Sequence, residues 1–215
     1  MEIRILYEDN HLIAVYKPAG VLVQAGEGGH DDNTLYWKLR SFIKKRDNKP
    51  GNVFIGVLHR LDRPVSGVVL FAKTSKGAAR LSEQFRNRTI NKIYHAVVHG
   101  EMDPKSGKLE NHISKEGKQA VIGATGDIAE LVYETVKSSS KYSLLKIHLG
   151  TGKFHQIRAQ LSHAGHPIVG DMKYGSTEKV HDGIYLCATE LEFTGATDGD
   201  RHSVTIDYPG EWELL

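Results

Sequence analysis

The sequence predicts an α+β fold built on a mainly antiparallel or mixed central sheet, flanked by helices and loops. Three observations lead there. Eight short runs, rich in Val, Ile, Leu and Tyr and bounded by turn residues, read as strands. Only three segments carry the apolar period of a helix. The two kinds do not alternate regularly, as they would in a doubly wound chain.

The strand runs are 2–7, 11–16, 67–73, 92–99, 130–136, 142–149, 184–189 and 202–207. The run YSLLKIHL at 142–149 partly alternates, as a half-buried strand does. Leu35, Leu39, Phe42 and Ile43 recur at helical spacing behind Asp32 or Asn33, either of which is a candidate cap. Ala78, Leu81 and Phe85 mark a second helix, with Ser75 before it. Ile157, Leu161 and Ala164 mark a third, stopped by Gly165 and then Pro167. Gly-rich stretches at 26–29, 117–126 and 195–199 read as loops. None resembles a linker, and no internal repeat is visible, so 1–215 is expected to be a single domain.

With 215 residues, 40% hydrophobic and 25% charged, the usage is that of soluble globular proteins. A chain of this size buries roughly 70% of its unfolded surface, enough for a core without staples. The lone cysteine, Cys187, excludes an internal disulfide and a Cys-x-x-Cys zinc module and suits a reducing interior. The opening MEIRILYEDNHLIAVYKPAG lacks the apolar core of a signal peptide, and no stretch approaches the ~20 apolar residues of a membrane span. The expectation is a cytoplasmic protein with no membrane partner. Charge is unevenly spread. Residues 36–50 and 73–92 each carry six Lys/Arg against one acid, whereas 177–215 carries two basic residues and nine acidic ones. A basic body with an acidic tail points to a polyanionic partner, although solvated helix faces give the same pattern.

Three segments carry chemistry. In His59-Arg60-Leu61-Asp62-Arg63-Pro64-Val65-Ser66-Gly67, a turn feeds the apolar run Val68–Ala72 and places Asp62 on a firm support. The two flanking arginines favour the anionic carboxylate, a usable nucleophile or base. In Asn91-Lys92-Ile93-Tyr94-His95-Ala96, strand period puts Lys92, Tyr94 and Ala96 on one face, where a tyrosine ring can stack on a base. In Leu149-Gly150-Thr151-Gly152-Lys153-Phe154-His155-Gln156-Ile157-Arg158, a glycine turn leads into the third helix and sets Arg158 beside the apolar stripe. Each also has a plain structural reading: a surface ion-pair cluster, a core tyrosine, and a capped helix with an arginine snorkelling to solvent.

Taken together and in this order, the segments resemble the RluA-type family of RNA pseudouridine synthases. The resemblance opens at Tyr7-Glu8-Asp9-Asn10-His11-Leu12-Ile13-Ala14-Val15-Tyr16-Lys17-Pro18-Ala19-Gly20. It continues through His-Arg-Leu-Asp-Arg, Lys-x-Tyr-x-Ala and Gly-x-x-His-Gln-Ile-Arg to Gly165-His166-Pro167-Ile168-Val169-Gly170-Asp171-Met172-Lys173-Tyr174-Gly175. It implies the catalytic fold of those enzymes, with an active-site cleft across the sheet, and isomerisation of uridine to pseudouridine in tRNA or rRNA without metal or cofactor. Asp62 would be the catalytic residue. Arg60 would fill the gap left by the flipped base. Tyr94 would pack against the uracil and is a candidate for removing the proton at C5. Arg158 would pair with the catalytic carboxylate. His59, Arg63, Lys92, Lys153 and His155 are the neighbouring candidates for RNA contact.

The sequence departs from the family at Pro64 and Val65, where an acidic residue and Thr are common, at Lys153 for Arg, and at Gln160 for His. With no S4-type RNA-binding domain ahead of the matched segment, a compact member is expected, monomeric by default, that recognises RNA by its shape. Two other readings compete. One is a catalytically inactive RNA-binding protein of this fold. The other is a metal-dependent hydrolase using His155, His163, His166 and Asp171, whose spacing fits no standard metal helix.

Overall fold

The computed structural model describes residues 2–26 and 31–213. Apart from Gly26, the loop expected at 26–29 lies outside the described residues. In chain order the elements are β1 (Ile5–Glu8), β2 (Leu12–Lys17), α1 (Leu35–Arg46), β3 (Gly56–Val57), β4 (Ser66–Ala72), α2 (Ser75–Arg86), β5 (Asn91–His99), β6 (Ser106–Glu116), β7 (Gln119–Gly123), β8 (Asp127–Ser138), β9 (Tyr142–Leu149), α3 (Gln156–His163), β10 (Leu186–Thr194) and β11 (Arg201–Thr205). The class is α+β. The chain divides into two compact units, Met1–Ile90 with Glu190–Ile206, and Asn91–Thr189 with Asp207–Leu215.

In the first unit β2 lies between β1 and β4, antiparallel to both, with Val15 facing Ile5 on one side and Val69 on the other. Residues 12–15 are fully buried and every residue of β4 is buried, so both strands read as continuous apolar runs. Leu35, Leu39 and Ile43 are the buried stripe of α1. Its cap is Thr34, whose hydroxyl accepts from the Trp37 amide, rather than the expected Asp32 or Asn33. Thr34 carries the extended cap conformation, and Lys44, Lys45 and Arg46 complement the negative end of the helix dipole. Thr74, not Ser75, caps α2, accepting from Gly77 N at 3.1 Å. A β-carbon at Gly77 would lie 2.7 Å from the His11 carbonyl, so only glycine lets α2 press on the β1–β2 turn. At the far end of α2 the Gln84 amide grips Thr194, donating to its carbonyl (2.8 Å) and accepting from its amide (2.9 Å). Leu12, Leu70, Leu81 and Phe193 form the centre of this unit's core. Full burial of such a side chain contributes about 1.5–3 kcal/mol.

In the second unit β5, β9, β8, β6 and β7 pair antiparallel in that order. Tyr94 of β5 and Tyr133 of β8 both face Ile147 of β9. Helix α3 packs through Ala159 against Ile113, Ala120, Ala129 and Tyr174. Small residues there let helix and sheet approach closely.

Three strands depart from the sequence expectation. β6 and β3 were not expected, and β7 falls inside the stretch 117–126 read as a loop. β6, SGKLENHISKE, buries only Ile113 fully, so it shows little apolar alternation. β7 buries only Ala120 fully. β6 pairs with β8 along Ser106–Ile113, and β7 depends on β6, with Glu116 facing Gln119 across a turn at Gly117 and Lys118, where Gly117 has φ of 57°. Neighbouring strands, not local propensity, decide such edges.

Candidate active site

The segment 59–67 forms a tight turn into β4, closed by the Val65 amide donating to the Asp62 carbonyl at 3.1 Å. Leu61 and Val65 anchor it in the interior at 7% and 3% exposure, leaving Asp62 half-buried and Arg60 and Arg63 exposed. The turn is clasped by the Lys-Pro-Ala-Gly loop. Gly20 N donates to Arg63 O (2.8 Å), and Arg63 Nε donates back to Gly20 O (2.9 Å). Beneath both lies Lys17, fully buried, its ammonium donating to the carbonyls of Pro18 (3.1 Å), Val21 (2.8 Å) and Arg63 (3.2 Å). A buried ammonium needs such partners, and here they tie the two loops together. His59 is drawn into the scaffold. Its Nε2 accepts from the Leu70 amide at 2.9 Å, and its ring stacks on Phe85.

In the second unit Tyr94 is buried at 9% exposure on β5, and Lys92, two residues earlier, donates from Nζ to the Thr151 carbonyl at 3.3 Å. That bond joins β5 to the turn before α3. Next to Tyr94, burial and then Lys146 push the His95 imidazole below its usual value. The start of α3 is fixed by a chain of buried amides. Gln156 Oε1 accepts from Thr151 Oγ1 (2.7 Å) and Lys153 N (3.0 Å), while its Nε2 donates to Glu130 O and Gln160 Oε1 (both 3.0 Å). Gln160 Nε2 in turn reaches Leu109 O, Asn111 Oδ1 and Ala129 O. The Gln160 departure therefore gives α3 an amide anchor on β6 and β8. Lys153 pairs with the exposed Asp127 carboxylate at 3.0 Å.

Arg158 is not the snorkelling residue of the plain reading. It is 4% exposed and grips Asp171, itself 2% exposed, through a fork of Nε to Oδ2 (2.6 Å) and Nη2 to Oδ1 (2.8 Å). Its guanidinium lies 4.9 Å from the centre of the Tyr174 ring. The Tyr174 hydroxyl accepts from Ala120 N (2.7 Å) and shares a hydrogen bond with His155 Nδ1 (2.8 Å). His155 sits in the left-handed region, φ 51°. Asp171, weighed above only as a metal ligand, thus has both oxygens on Arg158. His166 Nδ1 bonds the His99 carbonyl and His163 is exposed. Among the described residues no group of three or more His, Cys, Asp or Glu is placed to hold a metal, and no helix is long and apolar enough to cross a membrane.

The expected residues therefore gather in two sets: His59, Arg60, Asp62 and Arg63 on one turn of the first unit, and Lys92, Tyr94, Lys153, His155 and Arg158 around β5 and the start of α3 in the second. Sequence reasoning missed the roles of Lys17, Gln156 and Asp171. Lys17 left a signal, a lone charge closing the apolar run LIAVY before a proline. The Arg158–Asp171 pair left none, because its spacing of thirteen positions fits no helical or strand period.

Among solved structures, human RNA Pseudouridylate Synthase Domain Containing 4 superposes with a TM-score of 0.81 at 21% identity, covering 98% of this chain and 90% of that one. Human RNA Pseudouridylate Synthase Domain Containing 1 gives 0.77 at 21%, covering 96% and 83%. These define the fold as that of the pseudouridylate synthases. The sequence profile of the RNA pseudouridylate synthase family matches residues 11–163, a span that holds Asp62, Tyr94 and Arg158. The chain belongs to this family. It is 36% identical to ribosomal large subunit pseudouridine synthase C of Buchnera aphidicola over 81% of this chain and 55% of the relative. It is 34% identical to ribosomal large subunit pseudouridine synthase D of Pseudomonas aeruginosa over 84% and 56%. It is 33% identical to tRNA pseudouridine synthase C of Haemophilus ducreyi over 100% and 95%. The chain spans about half the length of the first two relatives.

Proposed function

We propose that this protein isomerises selected uridines of tRNA or ribosomal RNA to pseudouridine, its two units working as one monomeric catalytic domain in the cytoplasm. The observation that carries the reading is the turn at Asp62. A carboxylate stands half-buried on a rigid loop clamped from below by a buried lysine, inside the segment that matches the family. Rigid display of one reactive group is what this chemistry needs. Substrate and product contain the same atoms. The N1–C1′ bond breaks, the uracil rotates and C5–C1′ forms, with the C5 proton lost at the end and N1 protonated. Asp62 either adds to the sugar or removes a proton from it, and both routes use the anionic carboxylate.

The target base must leave its stack for this, at a cost of a few kcal/mol that is least in loops. Arg60, exposed beside Asp62, is suited to fill the gap. Tyr94 supports the uracil and is the candidate for taking the C5 proton. Arg158, immobilised by Asp171, offers a fixed positive charge to position the carboxylate. His59, Arg63, Lys92, Lys153 and His155 are the further candidates for RNA contact. The exposed cations of α1 and α2 supply phosphate contacts that offset base flipping. Transcriptome-wide mapping of pseudouridine in cells with and without the gene tests the reading. Sites in tRNA or ribosomal RNA that vanish with the gene and return with the wild-type protein support it. An unchanged map would sink it.

A further inference from the structure

One exposed aromatic ring beside the candidate site has no part in the chemistry above. Phe154 lies between Lys153 and His155 in the turn before α3, and its side chain is 42% exposed. The other strongly exposed apolar residues of this unit include Ile128, Val132 and Val136, aliphatic side chains along one face of β8. Phe154 differs in what lies around it.

Its ring is stacked on the His155 imidazole, with centroids 3.8 Å apart and planes 20° from parallel. His155 is fixed in turn by its bond to the Tyr174 hydroxyl and by an edge-on contact with that ring, 5.6 Å between centroids. Tyr174 is buried and tied to β7. An aromatic column therefore rises from the interior through His155 and ends at a half-exposed ring. The left-handed backbone at His155, which costs a non-glycine residue about 1–2 kcal/mol, is held against that cost by these contacts.

The surroundings are cationic. The exposed Lys115 places its ammonium 5.2 Å from the Phe154 centroid. Lys118 and Lys173 are also exposed, and Lys173 Nζ bonds the Lys118 carbonyl at 3.0 Å, tying the β6–β7 turn to the 172–174 turn. A rigid aromatic end with an exposed ammonium beside it complements a flat ring tethered to a phosphate. A hydrophobic peptide would need a wider apolar surface than one ring framed by lysines.

We propose that Phe154 is a stacking platform for an unpaired base of the substrate RNA, with Lys115 moving from the ring to the adjoining phosphate. This rests on the reading of the protein as an RNA uridine isomerase. Stacking on an aromatic tolerates any base, so the platform adds affinity for single-stranded or looped RNA without reading sequence.

The test measures binding to unmodified transcripts of tRNA and large-subunit ribosomal RNA for the wild type and for Phe154→Ala, Phe154→Leu, Phe154→Trp and Lys115→Ala, alongside pseudouridine formation by the wild type. Phe154→Ala and Phe154→Leu are expected to weaken binding roughly 5- to 100-fold, and Phe154→Trp to keep it. Lys115→Ala is expected to flatten the dependence of log K on log salt by about 0.7. Phe154→Leu separates stacking from packing, because it preserves an apolar cover over His155. If Phe154→Leu or Phe154→Ala binds like the wild type while the wild type forms pseudouridine, the platform is overturned and the functional reading stands. If the wild type neither binds nor modifies any transcript, both fall.

Discussion

At the scale of single residues, the placement of Asp62 is governed by a lysine that never meets solvent. Lys17 holds three carbonyls, one of them on Arg63, next to the carboxylate. Lys17→Met keeps the volume and strips the ammonium from the Pro18 and Val21 carbonyls, while Arg63 O keeps the Gly20 amide, at about 1–3 kcal/mol for each buried group left without a donor. The expected outcome is a lowered melting temperature and, in the folded fraction, a loss of turnover larger than the loss of RNA affinity. Steady-state kinetics beside a binding curve check this, and equal losses in both would contradict a positioning role. Arg158→Lys keeps the charge and loses the fork on Asp171. Turnover should again fall more than binding. Equal loss would assign Arg158 to phosphate contact instead. Asp171→Asn leaves the buried guanidinium without its anion and should destabilise the fold by about 3–5 kcal/mol, read by denaturant unfolding.

At the scale of elements, the start of α3 is set by Gln156 and Gln160 rather than by a side-chain cap, because His155 makes no capping bond. Gln160→Leu removes three bonds to β6 and β8 and should cost about 2–4 kcal/mol, more than its volume change alone. β5 carries a pH-sensitive group. His95 is held neutral by burial and by Lys146, opposed by the Glu134 carboxylate, and it shares a hydrogen bond with Thr189. Its folded value lies below the unfolded 6.5, so its contribution to stability is complete above about pH 6.5 and is lost as pH falls through the folded value. The wild type should lose melting temperature below pH 6.5 faster than His95→Gln, and parallel curves would contradict this. The helices and the buried strands β2, β4, β5 and β9 were legible in the sequence because burial on one or both faces imprints an apolar period. The turn at 59–67 that carries Asp62 was legible as a sequence motif. β6 and β7 were not, because they lie largely open to solvent and are held by the ladder that runs from β8 through β6 to β7. The amide chain through Gln156 and the Arg158–Asp171 fork were also hidden, since both join residues that only the tertiary fold brings together.

At the scale of the whole molecule, an ionic lock closes the first unit. Arg46 bonds Glu8 through both terminal nitrogens (2.7 and 2.8 Å), and Lys73 joins them, tying α1 to β1 and to the end of β4. Hydrogen bonding from Arg46, then Lys73, holds the Glu8 carboxyl at about 2. The stability this provides is complete above the ordinary 4.5 and is lost as pH falls from there toward 2, so Glu8→Gln should flatten the acid limb of unfolding. The central claim concerns not this lock but the carboxylate at 62. Its most direct test is a single-turnover assay of purified wild type and Asp62→Asn on an RNA identified by mapping, with RNA binding measured in parallel. Pseudouridine formation should disappear in the variant while affinity stays within a few-fold of the wild type. Product formed by Asp62→Asn at the wild-type rate would contradict the account.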